Sequence, residues 1–264
     1  MWIIFKNEMG RTRKGLLIWG AVVGIVAFFG MLEYPFLSQY LDILEEALSA
    51  LPKLGQLVFG VFHADLMSPV GYYVVMYYWT GLIVFTHAIY TGASIVLKES
   101  RDKTAEFLFT KPYKRSVIVW AKILAGLTNI LIIGLVTIIM SFVAMLPITT
   151  EPSALWQILA SGAGMLFTQA LLMSLGFLCG AVFSTYGAAA RGAAAVLLAS
   201  YCIMFFIQYM EIETLNFLSP LTYFGVADVV AHGLSRVYTA LCVLVIAVCL
   251  YLTQRLFSRK AFML

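Results

Sequence analysis

The sequence predicts an all-α membrane protein with six transmembrane helices, and three observations predict it. First, 62% of the 264 residues are hydrophobic and 11% are charged, with a mean hydropathy of +0.94, whereas soluble domains average about 25% charged residues. Second, six apolar segments reach the roughly 20 residues that a helix needs to cross a bilayer. Third, the basic residues are concentrated in alternate connections between these segments, as in multi-pass membrane proteins. We therefore expect a single transmembrane domain over residues 1–264.

The six predicted spans are separated by polar or amphipathic connections. They fall near residues 15–32, 71–97, 117–146, 155–184, 190–210 and 237–257. The first span follows a basic N-terminus but lacks a small-residue cleavage site, which predicts a retained anchor rather than a signal peptide. Two clusters of small residues, at 176–180 and 187–195, are typical of membrane helices that pack closely.

The distribution of basic residues predicts the orientation of the chain. If the N-terminus is inside, 15 of the 17 Lys and Arg residues are inside, and Lys53 and Arg236 alone are outside. Because basic residues remain on the cytoplasmic side, both termini are expected to be cytoplasmic. Five aromatic residues at the outer end of the second span are expected to form an interfacial belt: Tyr72, Tyr73, Tyr77, Tyr78 and Trp79.

Two of the predicted outer connections contain apolar sequence. In the segment 33–70, leucines recur at helical spacing from Leu37 to Leu51, and polar residues occupy the opposite face. This pattern predicts an amphipathic helix on the outer surface or capping the bundle, ended by Pro52. The connection 211–236 is too apolar around 218–225 for a solvated loop. A re-entrant or interfacial piece is expected there, covered by protein or by a water-filled cavity.

Several function classes are disfavoured by what the sequence lacks. It contains no Gly-x-x-x-x-Gly-Lys-Ser/Thr motif, so this chain is not expected to bind nucleotide phosphates itself. No Asp, Glu, Lys or Arg lies at the middle of a predicted span, whereas ion-coupled carriers usually need such groups. His87 lies well inside the second span and is interpreted either as a neutral histidine bonded to a neighbouring helix or as a proton relay. No catalytic residue, cofactor site or metal site is predicted in this chain.

The predicted cytoplasmic connection 98–116 contains the densest cluster of charge in the sequence. Ala105, Leu108 and Phe109 form an apolar face at helical spacing, and charged residues occupy the other face. Pro112 then stops the helix. A short amphipathic helix between two long spans is suited to transmit the movement of a cytoplasmic partner to those spans. The same pattern also fits a solvated turn, and the loop alone does not separate the two interpretations.

The loop and the residues that follow it carry a family resemblance. Eight residues look like the "E…GT-x-E-x-L…P…R…GK" signature of ABC-2 type permease subunits of ATP-binding-cassette exporters: Glu99, Thr104, Glu106, Leu108, Pro112, Arg115, Ala121 and Lys122. Residues 2–13 resemble the interfacial helix that precedes the first span in this family, and 218–224 resemble its re-entrant outer segment. Lys103 stands where the family usually has Gly, which leaves the start of the coupling helix open. A narrower resemblance is to permeases of the phenol-soluble-modulin exporter type.

The resemblance implies a type V exporter-like fold and a division of labour between subunits. The loop would contain a coupling helix that docks in a groove of a separate ATPase subunit, which would bind ATP and Mg. The residues expected to take part are Glu99, Arg101, Lys103, Thr104, Glu106, Leu108, Phe109, Pro112 and Arg115. A second permease chain, identical or different, would complete the transport path in a bacterial plasma membrane, and no nucleic-acid partner is expected. The apolar spans favour an amphipathic peptide, a lipid-like molecule or a drug-like molecule as cargo.

Two other function classes remain as alternatives. The first is a non-transporting membrane protein, such as an immunity or sensor subunit that recruits a cytoplasmic partner. The second is a secondary carrier. Binding of an ATPase separates the first alternative and the exporter from the carrier. Transport of cargo separates the exporter from the recruiter.

Overall fold

A computed structural model describes residues 1–62, 64–101 and 115–259, and at 41–42, 98–101, 115 and 258–259 it describes the backbone alone. These residues form ten α-helices and one 3₁₀ helix. In chain order they are α1 Trp2–Leu32, α2 Tyr34–Leu37, α3 Leu41–Ser49, α4 Lys53–Phe59, α5 Pro69–Arg101, α6 Arg115–Met145, α7 Pro152–Val182, α8 Tyr186–Met210, the 3₁₀ helix Glu213–Leu218, α9 Val226–His232 and α10 Arg236–Arg259.

Six segments of the described chain are long and apolar enough to cross a membrane. They are Trp2–Leu37, Pro69–Leu97, Ser116–Met145, Pro152–Val182, Tyr186–Met210 and Arg236–Phe257. The six predicted apolar spans are thus confirmed, and the described residues contain no strand. Helices are expected here because a bilayer offers no hydrogen-bond partner to an exposed backbone.

The N-terminal region differs from the expectation of a separate interfacial helix. Residues 2–13 are the beginning of α1, which runs without a break from Trp2 to Leu32. No proline interrupts this stretch, and isolated glycines such as Gly10 and Gly15 each weaken a helix by only about 1 kcal/mol relative to alanine. The predicted span 15–32 is therefore the C-terminal part of a longer helix.

α7 lies at the centre of the bundle and packs against α5, α6, α8, α9 and α10. Its closest contact is with α5, where a Cβ added to Gly176 would overlap the carbonyl of Ile89, and one added to Gly92 would overlap the carbonyl of Met173. Gly180 likewise approaches the carbonyl of Ala93. The predicted role of the 176–180 cluster in close packing is confirmed.

The aromatic residues of α5 depart from the predicted interfacial belt. Tyr72, Tyr73 and Tyr77 are buried inside the bundle, whereas Trp79 is 40% exposed. The Tyr73 hydroxyl lies 2.8 Å from Ser161 Oγ on α7. A buried tyrosine needs a partner for its hydroxyl, and α7 supplies one to Tyr73, so this ring is part of the interface between α5 and α7.

The segment that follows α1 forms three short helices at one end of the bundle. α3 has the predicted amphipathic character, because Leu44 and Leu48 pack on the main apolar core and Glu46 is exposed. The helix ends before Pro52, which precedes α4. Lys53 Nζ donates to Glu211 Oε1 at 2.7 Å, so the 33–70 and 211–236 connections meet at the same end of the bundle.

The apolar sequence 218–225 is buried against the bundle. Leu221, Tyr223 and Phe224 are buried, and the latter two pack with Leu171 of α7 and Cys242 of α10. Local side chains satisfy much of the non-helical backbone: the Tyr223 hydroxyl donates to the carbonyl of Phe217 at 2.8 Å. Protein therefore covers this piece, as its composition requires.

Candidate coupling site

The predicted coupling residues fall at and between the facing ends of α5 and α6. Glu99 and Arg101 lie in the last turn of α5, and Arg115 is the first residue of α6. The other six lie outside the described residues: Lys103, Thr104, Glu106, Leu108, Phe109 and Pro112. The coupling helix stays a prediction, and the structure describes the two helices that would carry it. We call the contact region of these helix ends with α1 the coupling junction.

The N-terminal part of α1 packs on the first turns of α6. Ile4 of α1 forms a small buried apolar cluster with Ile118 and Ala121 of α6. Helical spacing places Ile4 and Glu8 on one face of α1, and Ile118, Ala121 and Lys122 on one face of α6. The apolar cluster therefore continues along the same seam into a charged contact.

That contact is a buried ion pair. Lys122 Nζ donates to Glu8 Oε1 at 3.1 Å, and the same nitrogen donates to the carbonyl of Ile95 on α5 at 2.7 Å. The side chains of Lys122 and Glu8 are only 2% and 4% exposed. One ammonium group thus joins α1, α5 and α6 close to the loop that connects α5 to α6.

The burial of this pair determines its energetic role. Two desolvated charges are tolerated only where each has its partner and further hydrogen bonds. Removing one member of such a pair typically costs about 3–5 kcal/mol, because the other charge is left buried and uncompensated. A displacement of the α5 and α6 ends relative to α1 would break the pair, so the three helices are favoured to move together at this end.

A second polar contact links α1 and α6 two turns further along α6. Asn129 Nδ2 donates to the carbonyl of Ala125 at 2.9 Å and to Thr12 Oγ1 of α1 at 3.4 Å. Thr12 Oγ1 in turn lies 3.1 Å from the carbonyl of Glu8. The seam between α1 and α6 is therefore polar on the side that faces α5.

Neither interpretation of His87 is established by the contacts of its ring. Its Nε2 lies 3.3 Å from Thr91 Oγ1 on the same helix, and its ring contacts Trp19 of α1 with centroids 5.3 Å apart. The contact with the neighbouring helix is thus between rings rather than through a hydrogen bond. The proton-relay interpretation stays a hypothesis.

The sequence interpretation missed the ion pair, although a signal for it exists. Lys122 was part of the family signature, and Glu8 was part of the expected N-terminal helix. Glu8 is the sole acidic residue among the first 32, and Lys122 lies in an otherwise apolar stretch. A lysine in such a stretch needs an acidic partner, and Glu8, the sole acid of a largely apolar N-terminal stretch, is one candidate.

The described residues contain no cluster of three or more His, Cys, Asp or Glu side chains that would hold a metal ion. The four cysteines are free, and Cys179, Cys242 and Cys249 are buried. At the coupling junction, the Glu8–Lys122 pair and its bond to the Ile95 carbonyl connect three helices.

Comparison with known proteins identifies the family. No curated protein matches the chain. The family model described as ABC-2 family transporter protein matches residues 2–261, which is nearly the whole chain. Members of this family are membrane components that normally work with a separate ATPase subunit and lack ATPase activity themselves. With six apolar spans and this match, the chain belongs to the ABC-2 family of transporter proteins.

Proposed function

We propose that the chain is the membrane-spanning permease subunit of an ATP-driven exporter, coupled through the 98–116 loop to a separate ATPase. Family membership over residues 2–261 supports the transporter class. The observation that carries the coupling role is the buried Glu8–Lys122 pair with its bond to the Ile95 carbonyl. It lies next to the proposed docking loop and connects three helices that lead from it into the bundle.

In this proposal the ATPase binds ATP and Mg, and the permease converts the movement of the ATPase into a movement of helices. Two permease chains, identical or different, pair so that each presents one loop. Closure of the ATPase then draws the two loops together. At each coupling junction the linked ends of α1, α5 and α6 follow the loop as one body, which rocks the spans between inward-open and outward-open states.

The proposed orientation places the coupling junction on the cytoplasmic side of the membrane. The count of basic residues supports this side. The Lys53–Glu211 contact joins two connections that the same count assigns to the outside. The Glu8–Lys122 contact joins two segments that it assigns to the inside. A bacterial plasma membrane is the proposed location.

The proposed cargo is amphipathic: a peptide, as in exporters of the phenol-soluble-modulin type, or a lipid-like or drug-like molecule. α1 and α10 expose large apolar side chains in the single chain, among them Leu17, Ile18, Val237 and Leu244, each at least 60% exposed. Such surfaces face lipid or a partner chain. We place the cargo path at the seam between two permease chains.

Reconstitution tests the proposal. The full chain is purified with the Walker-motif ATPase that binds it, and both are placed in vesicles with a fluorescent amphipathic peptide. An exporter moves the peptide only with ATP, and the peptide raises the rate of hydrolysis. ATPase binding without transport at any cargo tested would favour the recruiter. Transport driven by an ion gradient without ATPase would favour the secondary carrier.

A further inference from the structure

A cavity of about 410 Å³, lined by both polar and apolar side chains, lies beside the coupling junction. Its walls come from α1, α5 and α6, together with Tyr186, the first residue of α8. Arg11, Trp19, His87 and Asn129 are among the residues that line it. None of the described residues that line the cavity belongs to the 98–116 loop.

Two buried polar atoms of the lining have no hydrogen-bond partner among the described residues. They are Asn129 Oδ1 and His87 Nδ1, and the two residues are only 2% and 7% exposed. Both donors of Asn129 Nδ2 are already bonded, to Ala125 and Thr12. Because a buried polar group without a partner is costly, these atoms require a ligand or water. Asn129 Oδ1 specifically requires a donor.

The charge of the lining indicates the other half of the ligand. Arg11 is an exposed residue at the wall of the cavity, and no acidic side chain is among the described residues that line it. Glu8, one turn before Arg11, is engaged by Lys122. A guanidinium presents a planar fork of donors that matches phosphate or carboxylate oxygens. The lining therefore selects an anion that also carries a hydrogen-bond donor.

We propose that this cavity binds an anionic phosphate ester with free hydroxyl groups, as in the phosphoglycerol head group of a membrane lipid. Arg11 holds the phosphate, and Asn129 Oδ1 accepts a hydrogen bond from a hydroxyl of the ligand. The volume lies within the range of about 300–1,000 Å³ that is typical of ligand pockets. Ile18 lies two turns after Arg11 on the same side of α1 and is 64% exposed, so it offers an apolar surface for an acyl chain. The head group would thus contact α1 through Arg11 and α6 through Asn129.

Native mass spectrometry of the purified full-length chain in detergent tests this proposal. The probes are phosphatidylglycerol, phosphatidylcholine and soluble glycerol 3-phosphate. The chain is expected to bind phosphatidylglycerol in preference to phosphatidylcholine. Arg11→Gln should weaken phosphatidylglycerol binding about tenfold or more, because it removes a charge-assisted contact. Arg13→Gln removes the same charge two residues away, outside the lining, and should leave the affinity unchanged.

A second measurement locates the lipid and protects the test against a variant that fails to fold. Phosphatidylglycerol with brominated chains should quench the fluorescence of Trp19. The part of the quenching that is due to Trp19 should be absent in the Trp19→Phe variant. Asn129→Leu should reduce the preference for phosphatidylglycerol over an analogue without free hydroxyls.

Equal binding by the Arg11→Gln and Arg13→Gln variants, or no preference over phosphatidylcholine, would show a cavity filled by water and overturn the proposal. Displacement of phosphatidylglycerol by glycerol 3-phosphate at similar concentration would support the site and assign it to a soluble phosphate ester. Retention of phosphatidylglycerol in excess glycerol 3-phosphate would support the lipid as the occupant. Because ATPase binding and peptide transport are not measured here, failure of this experiment leaves the proposed function intact.

Discussion

Lys122 Nζ lies 3.1 Å from Glu8 Oε1 in a setting that excludes nearly all solvent from both side chains. The two residues are 114 positions apart, and the bond to the Ile95 carbonyl adds a third helix at the same point. A charge pair so placed fixes how α1 lies against α5 and α6. The mechanical connection in the proposed function depends on this arrangement.

Breaking the pair should destabilise the fold. In Lys122→Met the carboxylate of Glu8 stays buried without its cation, which typically costs about 3–5 kcal/mol. In Glu8→Gln the ammonium group of Lys122 stays buried without its carboxylate partner. Both single variants should lower the midpoint of thermal unfolding of the purified chain in detergent. Lys6→Gln, at an exposed position on the same helix, serves as the control and should leave the midpoint unchanged.

Replacing both charges together separates stability from coupling. The Glu8→Leu/Lys122→Met double variant should be more stable than either single variant, because an apolar pair avoids the desolvation cost. If the pair acts in coupling, this gain in stability should not restore coupling. Cargo should then stimulate ATP hydrolysis less in the double variant than in the native chain. Single variants as stable as the native chain would contradict the assignment of a buried, paired site.

The sequence was sufficient for the six helices, because a run of apolar residues in a bilayer has few alternatives to a helix. The position of Tyr73 and Tyr77 along the second span can be read from the sequence, but the direction in which their side chains point cannot. That direction depends on Ser161 of α7, which hydropathy does not reveal. The Glu8–Lys122 contact is equally a matter of which helices become neighbours. The docking residues from Lys103 to Pro112 lie outside the described residues, so their role rests on pattern and family resemblance.

A methyl group at Gly176 should disrupt the packing of α7 on α5. The added Cβ of Gly176→Ala would overlap the backbone carbonyl of Ile89, and backbone atoms of two long helices do not yield cheaply. Overpacking of this kind costs about 1–3 kcal/mol or more. Gly187→Ala is the matched control, since among the described residues its Cβ would meet the Arg191 guanidinium alone, at 3.5 Å. Thermal unfolding and the yield of monodisperse protein should fall for the first variant only.

The proposed orientation predicts which positions are accessible from outside the cell. In a background that lacks the four native cysteines, single cysteines at the exposed positions Glu151 and Glu213 should react with a membrane-impermeant maleimide on intact cells. Cysteines at Lys14 and Lys103 should react only after the membrane is opened. Labelling of position 103 from outside would reverse the orientation and remove the basis for ATPase docking there.

Charge reversal in the loop tests the docking proposal. Glu106→Lys places a cation where the family resemblance implies a contact with the ATPase, and breaking a desolvated charge pair at an interface typically costs about 2–5 kcal/mol. The ATPase should then dissociate during co-purification, or its hydrolysis should cease to respond to cargo. Phe109→Ala should weaken the same contact by removing an aromatic anchor. Both variants should still insert and unfold at the native temperature, since neither removes a side chain of the α1, α5 and α6 contacts that the structure describes.

The matched control for this experiment lies at the other end of the bundle. Glu45→Lys makes the same charge reversal on α3, in the connection that meets Glu211 through Lys53, and should leave ATPase binding unchanged. A loss of ATPase in all three variants would indicate general damage or a non-specific charge effect. Full complex formation and transport in both loop variants would make the loop a solvated turn, and the ATPase would have to dock elsewhere. Dissociation in the loop variants alone would locate the ATPase at the loop between α5 and α6.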